Sequence, residues 1–163
     1  MVSEGSSLEA DKGGMTDDDR YREIMQSRSD PSTYYALLGM RLEELGEGTS
    51  RFAMSVEPRF FNAGGVVHGG VLASIADASA AAALATLVDT EREAIATVEM
   101  KINYISPVRA GDIFCEARII QRGRLVAVGE TSVLDAGGRL LAKAMATFLI
   151  REKTAKGAGK RDI

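Results

Sequence analysis

One cysteine and one histidine are all that the 163 residues contain. A lone Cys115 cannot form an internal disulfide, and the lack of a disulfide framework fits a reducing, cytoplasmic setting. A lone His68 cannot build a histidine cluster, and Cys115 does not complete a zinc site, so no metal is expected. Positive charge is short too, with 20 Lys and Arg against 23 Asp and Glu and a net charge of −3. That is the wrong sign for a protein whose main partner is nucleic-acid phosphate. Residues 1–15 are polar and rich in Gly and Ser, with no apolar stretch of the signal-peptide type. The one long apolar run, residues 71–88, is built mostly of alanine around Asp77. Alanine is only marginally hydrophobic, and an acid at the middle of a membrane helix costs roughly 3 kcal/mol, so a buried core helix fits better than a membrane span. No G-x-S-x-G elbow, no Walker loop and no dinucleotide fingerprint is present. A reaction without a cofactor is expected.

What is present suits one soluble domain, with 45% hydrophobic and 26% charged residues. The domain is expected over residues 16–152, flanked by a disordered segment, 1–15, and a flexible tail, 153–163. Asp17-Asp18-Asp19 reads as the acidic first turn of a helix with Tyr21, Ile24 and Met25 on one face. Asp30-Pro31 reads as the start of a second helix carrying Tyr34, Leu37 and Leu38 and stopping at Gly39. The period then becomes two. Phe52, Met54 and Val56 mark a strand, residues 58–67 are irregular, and residues 69–88 form one long helix, apolar almost all round. Ala96, Val98, Met100, Ile102 and Tyr104 alternate with Thr97, Glu99, Lys101 and Asn103 as a half-buried strand does. Residues 113–121, 125–134 and 140–150 read as three more strands, joined by hairpins at Arg122-Gly123 and Ala136-Gly137-Gly138. A helix followed by a four-stranded antiparallel meander predicts an α+β fold, a strongly curved sheet wrapped around one central helix. The sheet's outer face and edges would need a partner subunit.

Chemistry concentrates in Asn62-Ala63-Gly64-Gly65-Val66-Val67-His68-Gly69-Gly70, where four of nine residues are glycine. Glycine lets a ligand approach the backbone, and the first amides of the following helix are unpaired at the positive end of its dipole. Such a turn can polarise a carbonyl oxygen, or it can simply be a tight loop against the sheet. Asp77 is the only ionisable residue between His68 and Asp89. A charge in such a helix is costly unless hydrogen-bonded, so Asp77 is either a structural carboxylate or a general base or nucleophile. It follows Gly69 by eight residues, ~12 Å along the axis. That is too far for both to hold one carbonyl unless a second subunit supplies the other half.

Together with Leu38-Gly39-Met40, Thr97, Tyr104-Ile105-Ser106-Pro107, Gly111-Asp112 and Ala146-Thr147-Phe148, these residues give the chain its likeness. It resembles the hot-dog fold thioesterases, in particular the PaaI-like (phenylacetate-degradation) branch, over about residues 36–150. The resemblance implies hydrolysis of acyl-CoA thioesters, with Asp77 as the catalytic carboxylate and Thr97 assisting it. It implies that the Gly69 amide holds the thioester oxygen, with Asn62 and His68 orienting the group or the water from the same side. It further implies homodimers or homotetramers with sites between subunits. The CoA arm would run past Gly70, past Tyr104, Ser106, Pro107 and Arg109, and past Arg122-Gly123-Arg124, whose arginines could meet phosphates. The rival reading is a non-catalytic acyl-CoA binding or sensing module. Binding alone has no need of Asp77, and the acidic N-terminal helix suits DNA poorly. Aromatic and medium-chain acyl groups both stay open.

Overall fold

Thr16 opens the first element of the computed structural model, which describes residues 16–153. Its side chain accepts from the Asp19 amide and caps helix α1 (Asp17–Arg28). Ile24 of α1 is buried, while Met25, expected beside it, is exposed. The expected disordered segment 1–15 and the tail beyond Lys153 lie outside the described residues. Lys153 itself is held, its amide donating to the Arg92 carbonyl (2.7 Å).

The second helix is shorter than its sequence suggested. Asp30 accepts from the Ser32 amide (2.8 Å), so Asp30-Pro31 makes a turn and not a helix start. Only Tyr34–Leu37 are helical, as α2. A hairpin follows, β1 (Arg41–Gly46) with β2 (Thr49–Ser55); β2 takes in the strand expected at Phe52 and Met54, whereas β1 was not anticipated. Gly48, at φ 67°, makes its turn. The long helix α3 spans Gly69–Ala85, with Thr86 as its C-cap, slightly shorter than the expected 69–88. Four strands succeed it: β3 (Glu93–Tyr104), β4 (Asp112–Arg122), β5 (Val126–Asp135) and β6 (Leu140–Glu152).

All six strands form one antiparallel sheet in the order β1-β2-β4-β5-β6-β3. The expected four-strand meander is therefore only a three-strand one, β4-β5-β6. β3 lies at the far edge, paired with β6 rather than β4. That leaves β4 free to pair with β2, so both halves of the sheet curl round α3. A two-residue period reveals a strand but not its partner, which is why the order was misjudged.

The core lies between α3 and the concave face. Phe52, Met54, Ile113, Val133 and Phe148 point inward against Leu72, Ile75 and Leu84 of the helix, all buried. Each such side chain contributes about 1.5–3 kcal/mol on burial. Ala142, Ala144 and Ala146 of β6 present small side chains, which lets the alanine-rich helix lie close to the sheet. Two polar ties fix its height. Ser50 Oγ donates to the Ser79 carbonyl (2.7 Å), and Thr86 Oγ1 accepts from the Gly48 amide (2.8 Å). The helix is nevertheless not enclosed all round, as its composition had implied. Gly70, Ser74, Asp77 and Ala81 form a stripe that the sheet leaves partly exposed.

β3 carries the decisive irregularity. Its register slips between Thr97 and Glu99, so that Thr97 faces Phe148 and Glu99 faces Thr147, with Val98 left in a bulge. Opposed residues share a sheet face, and Phe148 points inward. Strict alternation would put Thr97 outside with Glu99; the bulge turns it inward, towards α3.

Cys115 provides a check on this core. It is fully buried, and burial pushes its thiol up to about 12. At pH 8 the reactive thiolate is then on the order of 10⁻⁴ of the population. A chromogenic disulfide reagent is expected to titrate no thiol in the native protein and one per chain in denaturant. Rapid native reaction would contradict the packing described.

Candidate active site

The glycine-rich loop is organised by its first residue. Asn62 Oδ1 accepts from the amides of Gly64 (2.8 Å) and Val66 (3.4 Å), folding the loop back on itself. With its oxygen so engaged, the Asn62 side chain has only its NH₂ group to offer a ligand. Gly65 turns the chain at φ 71°. The loop is then stitched to the fold by the Val67 amide on the Val108 carbonyl (2.9 Å) and the His68 amide on the Phe60 carbonyl (2.8 Å).

His68 is the N-cap of α3. Its Nδ1 accepts from the Gly70 amide (2.9 Å), so the ring proton sits on Nε2. The Val71 amide is taken by the His68 carbonyl (2.9 Å). The Gly69 amide is thus left without a hydrogen-bond partner among the described residues, at the positive end of a 17-residue helix. A Cβ on Gly69 would stand 3.0 Å from Cζ of Tyr104 and 3.1 Å from its Cε1. Glycine is what lets the Tyr104 ring pack this close to the start of the helix. Asn62, Gly69, Leu72, Tyr104, Ser106 and Pro107 line one cavity of about 380 Å³ there.

Asp77 lies on the bare stripe of α3, half-buried. Thr97 Oγ1 donates to its Oδ1 at 2.8 Å, across the bulge in β3. Oδ2 has no partner among the described residues. A carboxylate anchored on one oxygen and free on the other can take a proton or attack a carbonyl carbon. Eight residues of helix separate it from Gly69, ~12 Å. The single chain therefore holds two candidate half-sites, one at Gly69 and one at Asp77.

The arginines do not converge either. Arg122 is paired with Glu93 (3.1 Å), and this ion pair clasps β4 to the start of β3 near the C-terminal end of α3. Arg124, in the turn after Gly123, and Arg109, beside the loop cavity, have no ion pair among the described residues. The Arg122-Gly123-Arg124 turn and the cavity at Gly69 sit at opposite ends of α3, about 25 Å apart for a helix of that length. A larger concavity of about 440 Å³ lies on the sheet's outer face. Its basic residues are each ion-paired, Arg51 with Glu116, and Arg118 and Lys143 with the one carboxylate of Glu130. The site chemistry lies elsewhere. Ser74 escaped the reading of the sequence, although its spacing of three from Asp77 places it on the same helix face. Its hydroxyl donates to the Gly70 carbonyl (2.8 Å) and meets the Tyr34 hydroxyl (2.9 Å). Among the described residues no helix is long and apolar enough to cross a membrane, and no group of three potential metal-binding side chains occurs.

A family model described as thioesterase superfamily matches residues 64–142. Human acyl-coenzyme A thioesterase 13 is 31% identical over 126 residues, 75% of this chain and 88% of the human protein. The solved structure of the conserved protein PA5202 from Pseudomonas aeruginosa is 35% identical at a TM-score of 0.71, covering 80% of this chain and 98% of that one. Thioesterase HI1161 from Haemophilus influenzae shares the fold at a TM-score of 0.75 and 22% identity, over 85% of this chain and 94% of its own.

The Arg122 clasp makes a separable claim. In a double-mutant cycle of Arg122→Ala and Glu93→Ala, thermal unfolding is expected to give a coupling of about 0.2–1 kcal/mol, the range of partly exposed pairs. A coupling of zero would show that the pair does not hold the sheet ends together.

Proposed function

The chain belongs to the thioesterase superfamily with the hot-dog fold, and from that membership we propose that it hydrolyses acyl-CoA thioesters to free acid and CoA. The observation that carries this reading is the Asp77 carboxylate, tethered by Thr97 on one oxygen and open on the other. Its likeness to an acyl-coenzyme A thioesterase supports CoA as the thiol. Binding a thioester has no need of a free carboxylate; hydrolysing one does.

The reaction needs no cofactor. Oδ2 of Asp77 takes a proton from a water molecule as the water oxygen attacks the thioester carbonyl carbon. The carbonyl π pair moves onto oxygen, and the Gly69 amide donates to the oxyanion that forms. When the carbonyl reforms, the C–S bond breaks, and the CoA thiolate recovers the proton from Asp77. The Asn62 NH₂ group, which shares the cavity with Gly69, steadies the carbonyl or the water. Because ~12 Å separates Gly69 from Asp77 within a chain, the complete site takes Gly69 from one copy and Asp77 from another. The bare stripe of α3 and the edge strand β3, with Val98 59% exposed, support such a pairing. A homodimer or homotetramer in the cytoplasm follows. Arg109 and Arg124 meet the CoA phosphates, each from its own subunit, while Arg122 keeps its bond to Glu93.

Asp77→Asn preserves size and most hydrogen bonding while removing the charge. Its kcat is expected to fall by ~10²–10⁴, with melting temperature and subunit assembly retained. A stable oligomer with near-wild-type turnover would end the mechanism.

The shared site has a sharper test. Gly69→Pro deletes the free amide and is expected to cost on the order of 10²–10³ in kcat. Refolding it as a mixture with Asp77→Asn should restore activity. Half of randomly formed dimers are hybrids, and each hybrid carries one site with both groups intact, so about a quarter of wild-type turnover should return. If both groups act within one chain, mixing restores nothing.

A further inference from the structure

Residues 16–63 precede the stretch matched by the family model, yet one contact carries them onto the proposed site. The Tyr34 hydroxyl of α2 lies 2.9 Å from Ser74 Oγ on α3. The single hydroxyl hydrogen of Ser74 is committed to the Gly70 carbonyl (2.8 Å), so Tyr34 is the donor. Ser74 follows Gly69 by five residues and precedes Asp77 by three, ~4.5 Å along the axis and on the same face. Tyr34 is therefore pinned to the bare stripe of α3 between the two reactive groups of the chain.

Around that point the stripe is lined by small residues, Gly70 and Ala81 among them, whereas α2 sets the Tyr34 ring against it, with Leu37 three residues on along the same face of α2. Tyr34 is 57% exposed and Leu37 60% exposed. Anchoring costs Tyr34 its free hydroxyl, so what it offers a ligand is ring surface.

Resting on the thioesterase reading above, we infer that α2 is the end wall of the acyl pocket and that Tyr34, with Leu37, sets the size of acyl group accepted. The group it fits is compact and apolar, a single aromatic ring or a chain of comparable length. A flat ring packs against the Tyr34 ring at an aromatic contact distance. A long straight chain running along α3 from Asp77 meets Tyr34 within one helical turn.

The test compares benzoyl-CoA with straight-chain thioesters from butanoyl- to dodecanoyl-CoA. Wild-type kcat/KM is expected to be at least ten-fold higher for benzoyl- than for dodecanoyl-CoA. Tyr34→Ala should raise the dodecanoyl-to-benzoyl ratio of kcat/KM by ten-fold or more, and Leu37→Ala should shift it less in the same direction. Inhibition by free CoA should stay unchanged in both, since the wall touches only the acyl part. Melting temperature and oligomer size establish that each variant is folded. Should Tyr34→Ala not fold, the more exposed Leu37→Ala decides alone. An unmoved ratio, or an equal loss on every acyl group, overturns the wall while leaving the thioesterase reading in place. A wild type inactive on the whole series overturns that reading and the wall with it.

Discussion

A single helix lying in a single curved sheet is covered on one side only, and the organisation of this protein follows from that limit. The sheet takes the apolar side of α3, where Leu72, Ile75 and Leu84 meet Phe52, Ile113 and Phe148. The opposite stripe, Gly70, Ser74, Asp77 and Ala81, is left partly exposed, touched by the sheet only at its margins. A carboxylate on the covered side would lose its hydration with little to replace it, at a cost of several kcal/mol. On the bare stripe Asp77 keeps access to solvent and needs one hydrogen bond from the sheet. The bulge in β3 provides it by turning Thr97 inward. Fold and reactive group are thus tied by one irregularity in one edge strand.

The other half-site depends on the same helix at its end. Four amides at a helix start have no partner within the helix, and this chain disposes of them unequally. His68 takes two, Gly70 with its ring and Val71 with its carbonyl. Gly69 is left open, and the lack of a side chain there admits the Tyr104 ring beside it. The cap thus both stabilises the helix and singles out one donor. The loop before it is held by Asn62, whose oxygen is spent on structure, so that only its amide hydrogens are left to offer a ligand.

Much of this was legible in the sequence. The run of alanines around Asp77 declared a core helix, and Gly123 and the pair Gly137-Gly138 declared the β4–β5 and β5–β6 hairpins, because turn chemistry and helical burial are local. The β1–β2 hairpin was missed because β1, rich in Glu and Arg, alternates too weakly to show a buried face. The place of β3 was missed because pairing is a long-range choice that alternation within a strand does not encode. Thr97 is the instructive residue. Its resemblance to the family motif brought it to Asp77, whereas the plain two-residue period sent it to the outer face. The bulge reconciles the two, and nothing in the residues around Val98 announces it. Arg122 shows a different limit of the sequence. Its charge suggested phosphate, but it lies within reach of Glu93, a neighbour only in the folded chain.

Dividing the chemistry between two places on one helix has a physical consequence for the assembled protein. Within a chain neither half is strained or costly: the Gly69 amide lies open at a helix end, and Asp77 sits half-exposed with one bond. Each is only moderately effective in that state, because water screens both the helix dipole and the carboxylate. In the dimer proposed above, bringing a second copy's stripe and loop together would remove that water from both at once. The low dielectric then strengthens the Gly69 donor towards an oxyanion. Chemistry and assembly become one event, and a lone chain is spared the cost of keeping a dry, charged pocket. The wall formed by α2 extends the same economy, closing the pocket with a segment anchored by a single hydroxyl pair, Tyr34 on Ser74.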